Sequence, residues 1–168
     1  MTGTVCALAE AWAERQFGNL DFDAYPIYID VNVAGPLRVS EAFYQNVVAS
    51  GQKKIVAISS VSGSIGRRYG RMMGTGRGPP VRYWYDTSKA ALNMAFVALA
   101  NDALSDGVSV AVYQPGLVLV ERTRKYGFPE EFYTKVDESV ANLRERFAEL
   151  STATTGQFRT HQGDQMPW

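Results

Sequence analysis

The chain has little of several things, and each shortage excludes something. Its single cysteine, Cys6, cannot form a disulfide within the chain, so a reducing, cytoplasmic setting is expected. Its charge has no excess of either sign, with Lys+Arg 17 and Asp+Glu 17. That balance provides no global field to attract nucleic acid or anionic lipid, and neither is expected as a partner. It lacks an apolar run long enough to span a bilayer. Met1-Thr2-Gly3-Thr4 has neither a basic stretch nor an extended apolar core, so no signal peptide is expected there. The one histidine, His161, lies near the C-terminus and is not expected to be catalytic, and no metal site is expected. What is present is an ordinary globular composition, 46% hydrophobic and 20% charged over 168 residues, which fits one domain spanning 1–168.

Hydrophobic periodicity divides the chain into alternating elements. A short helix is expected over 5–16 and a loop over 18–26. A helix follows over 28–48, with Val33, Leu37, Tyr44, Val47 and Val48 on its apolar face. Pro36 inside it removes a backbone donor, so a kink or a late helix start is expected. The continuous apolar run 54–59 reads as a strand buried on both faces. Residues 62–80 hold six glycines and two prolines and read as loop. Residues 85–104 are apolar nearly all round and predict a well-buried helix ended by Gly107. A second buried strand is expected over 108–113, stopped by Pro115-Gly116. Residues 117–136 read as irregular. Asp137 is the expected N-cap of a helix running to Leu150, and 157–160 is the expected last strand. Alternation of helix and strand indicates an α/β layered fold with a parallel sheet.

Tyr85 and Lys89 are four residues apart at the start of a helix, which puts them on one face a turn apart. A free tyrosine, with a pKa of about 10, is a poor acid or base at neutral pH. A nearby ammonium stabilises the phenolate and makes the pair a proton donor or acceptor. Such pairs also arise by chance, so the neighbours matter. Ser59-Ser60 ends a buried strand, where open α/β sheets bind ligands; a simple turn is the alternative. Pro115-Gly116 ends the next strand, where backbone can approach a ligand closely. Asn32 stands near the start of the first long helix, where a cap or a surface residue is the plain reading.

Taken together, these residues resemble the short-chain dehydrogenase/reductase family. The matching stretches are Asp30-Val-Asn32-Val33, the strand-end Ser60, Tyr85-Asp-Thr-Ser-Lys89 followed by Ala90-Ala-Leu-Asn93, and Pro115-Gly116-Leu-Val118. The segment from Asn32 to Ala42, and the closing Gly156-Gln-Phe158 with Gly163 to Trp168, are similar to its C-factor-like subgroup. The resemblance covers about 27–168. It implies a truncated, Rossmann-like doubly wound parallel sheet that lacks the N-terminal strands. It also implies an NAD(P)-dependent interconversion of a carbonyl and an alcohol, with NADP or NAD as cofactor. Tyr85 would be the general acid in reduction, Ser60 would polarise the carbonyl, and Lys89 would assist Tyr85 and hold the nicotinamide ribose. Asn32 would hold a water linking Lys89 to solvent. Pro115, Gly116 and Val118 would line the nicotinamide ring.

The sequence departs from the family in three places. No G-x-x-x-G-x-G or G-x-G-x-x-G precedes Asn32, so the turn that receives the pyrophosphate is absent, and the edge of the 54–59 strand is expected to lack its neighbour. The interval from Ser60 to Tyr85 is longer than is usual in the family. It carries Arg67, Arg68, Arg71, Arg77 and Arg82 in a Gly-rich stretch over 66–82, read as a solvated loop, with a lid or phosphate contact as the alternative. Val120 stands where the family often has a threonine holding the carboxamide. Three readings follow. The first is a family oxidoreductase, present as a fragment or as a subunit completed by a partner. The second is a non-catalytic subunit pairing with a full-length reductase, in either case as a homo- or hetero-oligomer through helices near 29–49 and 86–106. The third is a small binding domain.

Overall fold

A computed structural model of the chain describes residues 17–69 and 82–168. The expected helix over 5–16, and Arg71 and Arg77, lie outside the described residues. The elements run α1 (Tyr25–Ile29), a π-helical turn (Asp30–Ala34), α2 (Gly35–Ala49), β1 (Lys54–Ile58), α3 (Tyr83–Asp102), β2 (Ser109–Gln114), α4 (Glu121–Arg124), α5 (Val136–Glu149) and β3 (Phe158–Thr160). The three strands form one parallel sheet in the order β1-β2-β3. Among the described residues, no helix is long and apolar enough to cross a membrane.

The long helix expected over 28–48 starts earlier and is broken in the middle. The break answers the proline. Pro36 falls in the first turn of α2, where a missing N–H is tolerated. Immediately before it the backbone widens into the π-helical turn, and the Gly35 N–H reaches back five residues to the Asp30 carbonyl. The apolar face read from the sequence is the one that packs: Val33, Leu37, Tyr44, Val47 and Val48 lie against the core beside Leu92, Phe96 and Ala100 of α3.

β2 is the centre of the sheet and is buried along its whole length. Successive side chains alternate between faces. Val110 and Val112 join the core under α2 and α3, while Ala111 and Tyr113 face Leu143, Phe147 and Leu150 on and beside α5. The result is three layers, with α2 and α3 on one side of the sheet and α5 on the other. β1 is less buried than its apolar run suggested. Ile55 and Ala57 are buried, but Val56 is only half-buried and Ile58 is exposed, because among the described residues β1 pairs on one edge only. Lys54 at its start donates to the carbonyls of Phe147 and Ala148, at 3.0 and 2.7 Å. A cation there satisfies the last turn of α5.

Several boundaries differ from the sequence reading. α5 begins at Val136 with Lys135 in the cap position and no side-chain cap, so Asp137 is not the N-cap; it sits inside the first turn. A carboxylate there still favours the helix N-terminus. α3 starts two residues early, at Tyr83, and passes into a 3-10 turn over Ala103–Asp106 before Gly107 takes the left-handed conformation, φ 71°. Its outer face is not buried, since Met94 is 68% exposed. The stretch 117–136 contains α4 and a 3-10 turn over Glu130–Phe132. At the other end of α3, Trp84 packs against Phe22 and Tyr25, with ring centroids 5.3 and 4.8 Å away, and so ties α1 to α3.

The tightest crossing lies between the turn after β1 and α3. A Cβ at Gly63 would come within 2.8 Å of the Lys89 carbonyl carbon and oxygen and 2.9 Å of the Asn93 amide. The Asn93 side chain also donates to the Gly63 carbonyl at 3.2 Å. Both obstacles belong to the buried face of a helix and have nowhere to move. Gly63→Ala is therefore expected to destabilise the chain by about 1–3 kcal/mol, read as a lower denaturation midpoint at unchanged m-value. A midpoint equal to that of the parent chain would show that the crossing is loose.

Candidate active site

β1 delivers Ser59 and Ser60 to the top of the sheet. The Ser59 N–H continues the pairing onto the Tyr113 carbonyl, at 2.7 Å, and Ser60 then caps the 3-10 turn Val61–Gly63. Its Oγ accepts from the Ser62 N–H at 3.2 Å. A hydroxyl held in this way as an acceptor keeps its own proton available for donation. The turn is pinned from below by the C-terminal segment. The Ser64 hydroxyl donates to the Pro167 carbonyl at 2.6 Å, and the Gly66 N–H to the Trp168 carbonyl at 2.6 Å.

Gly63 crosses α3 directly over Lys89, so the Ser60 turn and the first turns of α3 are neighbours. Lys89 Nζ lies 6.0 Å from the centroid of the Tyr85 ring. It donates to the Ile58 carbonyl at 3.2 Å, which leaves further donors of the ammonium for a ligand. Burial first, and then the charge of Arg122, lowers its pKa from the ordinary 10.5 to about 8. Asn32, on the π-helical turn, donates through Nδ2 to Ser88 Oγ at 3.0 Å. Its side chain thus fixes the residue before Lys89. Pro36, four residues on, has no N–H, so the Asn32 carbonyl lacks its α-helical donor. Asn32 and Lys89 both line a groove of about 510 Å³ that runs along the outer edge of β1, with Val31, Val39, Phe43 and Ile58 among its walls.

Pro115 and Gly116 leave β2 in a turn held on all sides. The Pro115 carbonyl accepts from Ser139 Oγ at 2.7 Å, and the Gly116 N–H donates to Gln114 Oε1 at 2.7 Å. Gly116 has φ 86°, and a Cβ there would meet Thr134 Oγ1 at 2.6 Å and His161 Cε1 at 2.9 Å. Only glycine fits. Val118 bridges to Thr134. Its carbonyl accepts from Thr123 Oγ1 at 2.5 Å, while among the described residues no hydrogen bond uses the Val118 N–H. The structure therefore brings Asn32, Ser60, Tyr85 and Lys89 to one end of the sheet, beside the groove, and sets Pro115, Gly116 and Val118 at the end of the neighbouring strand.

Five features escaped the sequence reading. Asp86, next to Tyr85, is buried and binds Arg68 Nη2 at 2.5 Å and the Arg82 backbone N–H at 3.2 Å. Burial raises its pKa against the pull of both arginines. Arg82 lies with its guanidinium carbon 4.3 Å above the Tyr85 ring and donates to Ser62 Oγ at 2.8 Å. The solvated-loop reading of the arginine-rich stretch is thus wrong at Arg68 and Arg82, because Asp86 gives both a fixed partner. Tyr28 is buried beside the site, and burial pushes its pKa up to about 12. Thr123, three residues after Val120, bonds the Val118 carbonyl and receives the Val120 N–H at 2.9 Å. His161, set aside as terminal, is buried against the Gly116 turn. The sequence held one signal among these, the acid placed directly after Tyr85.

The residues present suit the nicotinamide-ribose end of a dinucleotide: a lysine with donors to spare, an unused backbone N–H at Val118 and a glycine turn beside it. No G-x-G-x-x-G is present for the pyrophosphate. The family model described as short chain dehydrogenase matches residues 9–130. The chain is 32% identical over 154 residues to the 1-hydroxy-2-glutathionyl-2-methyl-3-butene dehydrogenase of Rhodococcus sp. (strain AD45), covering 91% of this chain and 62% of that protein. It is 27% identical to the C-signal of Myxococcus xanthus over 168 residues, which is 100% of this chain and 87% of that one. The crystal structure of an NADPH-bound carbonyl reductase from chicken fatty liver superposes with a TM-score of 0.77 at 25% identity, covering 92% of this chain and 61% of that one. The chain thus spans less than two thirds of the Rhodococcus protein and of the carbonyl reductase. With the family model matched over more than half of its length, the chain belongs to the short chain dehydrogenase family.

Proposed function

We propose that this chain is the catalytic portion of an NAD(P)-dependent oxidoreductase that interconverts a carbonyl and an alcohol. The observation that carries the reading is the first two turns of α3. They hold Tyr85 and Lys89 on one face, with the Lys89 ammonium 6.0 Å from the centroid of the phenol ring and the Ile58 carbonyl as its one hydrogen-bond partner among the described residues. A bound nicotinamide would supply the hydride that no side chain can. The names of two relatives, a dehydrogenase of a 1-hydroxy compound and a carbonyl reductase, support this chemistry.

In the direction of reduction, the Tyr85 hydroxyl gives its proton to the carbonyl oxygen. Ser60, whose lone pair is engaged by the Ser62 N–H, donates its own proton to the same oxygen and orients it. The Lys89 ammonium stabilises the phenolate left behind and reaches the nicotinamide ribose. Asn32 fixes Ser88 through its side chain, and its carbonyl, without its α-helical donor, is placed to hold a water that returns the proton from solvent. Pro115, Gly116 and Val118 would line the nicotinamide ring, and the Val118 N–H, which has no acceptor among the described residues, would serve its carboxamide. Residues for the rest of the cofactor would come from a longer chain or from a partner in the cytoplasm. The open edge of β1 and the apolar groove beside it also suit a non-catalytic subunit that docks on a full-length reductase. Met94, on the outer face of α3, supports assembly through the helices near 29–49 and 86–106.

Two outcomes follow. Tyr85→Phe, assayed as the purified chain and in any complex from which it purifies, is expected to lower carbonyl turnover with NADPH or NADH by about 10²–10⁴-fold. Its denaturation midpoint should not move. Activity retained within a few-fold would remove Tyr85 from proton transfer. The second outcome concerns pH. Reduction requires charged Lys89, so kcat/KM is expected to fall as pH rises through about 8. Folding lowers the proton affinity of Lys89, so the unfolded chain binds the extra proton between pH 8 and 10.5, and the contribution of this group to stability rises with pH across that window. Lys89→Met should therefore stabilise the chain at pH 7, and the gain should fade above pH 10. A gain independent of pH would mean that Lys89 is not held below its ordinary value.

A further inference from the structure

Gly63 sets how closely the turn of Ser60 approaches α3, but a backbone contact does not aim the Tyr85 ring. A tyrosine side chain still turns about χ1 and χ2, so the groups lying against the ring decide where its hydroxyl points. Arg82 is closer to the ring than Lys89 is. Its guanidinium carbon lies 4.3 Å from the ring centroid, against 6.0 Å for Lys89 Nζ. Arg82 is also the residue immediately before α3, three positions ahead of Tyr85.

Arg82 is held from two directions. Asp86 holds its backbone: the Arg82 carbonyl accepts from the Asp86 N–H at 2.8 Å, and the Arg82 N–H donates to Asp86 Oδ2 at 3.2 Å. The Arg82 Nε lies 3.8 Å from the other carboxylate oxygen. Ser62 holds the far end of the side chain, accepting from Arg82 Nη2 at 2.8 Å. Ser62 is the residue whose N–H engages Ser60 Oγ. A continuous path therefore runs from Ser60 through Ser62 and Arg82 to the ring of Tyr85. It joins the strand end to the helix start separately from the crossing of Gly63 and Lys89. An arginine whose planar fork is already bound loses little further freedom by stacking on a ring.

The stacking also has an electrostatic consequence. A guanidinium above an aromatic face is attracted by the electron density of the ring. That density rises as the phenol gives up its proton. The attraction is then stronger in the transition state than in the ground state, which is the condition for acting on kcat and not on binding. A ring stacked on a tethered group also samples fewer orientations, and proton transfer depends on orientation.

We propose that Arg82 is a positioning residue for proton transfer: tethered to Ser62 and Asp86, its guanidinium aims the Tyr85 ring toward the turn of Ser60 and answers the negative charge that develops on it. The proposal deepens the oxidoreductase reading and rests on it for the part that Tyr85 plays. The stacking itself does not depend on that reading.

The test pairs a spectroscopic signal with kinetics. The 1H–13C cross-peak of the Tyr85 ring is identified by its disappearance in Tyr85→Phe. It should shift in Arg82→Gln, which removes the charge and keeps a donor for Ser62. It should shift also in Ser62→Ala, which removes the tether and keeps the backbone N–H that engages Ser60. Ser62→Ala leaves the backbone bonds between Arg82 and Asp86 in place, so it carries the test if Arg82→Gln does not fold. With 4-nitrobenzaldehyde and NADPH, kcat should fall about tenfold in Arg82→Gln while both KM values stay nearly unchanged. Arg82→Lys should recover part of the loss. A ring signal that stays in place in both variants overturns the proposal, as does an unchanged kcat in Arg82→Gln. A loss that appears in KM alone overturns it too, because Arg82 would then be a ligand contact. The ring signal needs no turnover, so it decides the placement of Arg82 even in a preparation without activity. A Tyr85→Phe chain that keeps its activity, with a ring signal that answers to Arg82, would remove Tyr85 from the chemistry and leave the stacking intact.

Discussion

The backbone of Gly63 lies so close to the backbone of Lys89 that a single methyl group would not fit between them. Ser60 and Tyr85 are far apart in sequence, on a strand end and a helix start, and this crossing is what makes them neighbours. β1 fixes the height of Ser60 by pairing with β2, and α3 fixes the direction of Tyr85 and Lys89 by burying Leu92, Phe96 and Ala100 against the same sheet. The crossing then sets the distance between the two. The C-terminal segment supports it from below through Pro167 and Trp168. The long interval between Ser60 and Tyr85 is tolerated because closing a longer loop costs little extra entropy once both ends are anchored.

Electrostatics organises what packing has assembled. Asp86 is buried at a cost that Arg68 and Arg82 offset in part, and a buried carboxylate is retained only where it is paired in this way. Through Asp86, Arg68 and Arg82 are drawn onto the site, and Arg82 comes to lie on the ring of Tyr85. Burial also lowers the proton affinity of Lys89. The helix that carries the proton donor therefore also carries the carboxylate that gathers charge around it.

The site is more complete on one side than on the other. The end of β2 offers a glycine turn held by Ser139 and Gln114 and packed against Thr134, with a Val118 N–H that none of the described residues accepts. The outer edge of β1 offers instead an open groove with Ile58, Val39 and Phe43 uncovered. An exposed strand edge with apolar walls is a surface that folded proteins normally pair or cover. In the carbonyl reductase the matched chain continues well beyond the part this one resembles.

The sequence by itself determined the α/β order, the parallel strands, the apolar face of α2 and the Tyr85-Lys89 turn, because these depend on periodicities of two and of about 3.6 residues and on spacing along one helix. It also marked Gly116, whose positive φ no other residue adopts so easily. What only the tertiary structure decided depends on contacts between distant segments. Asp137 is a first-turn residue and not the cap. β1 is half-exposed because its partner strand is a matter of sheet order. His161 is buried under a turn 45 positions before it in the chain. Arg68 and Arg82 are bound, not solvated, because Asp86 sits beneath them. Hydropathy reports how strongly a residue avoids water, but a charged side chain is fixed by the one partner that it meets in space, and local sequence pattern carries no record of that meeting.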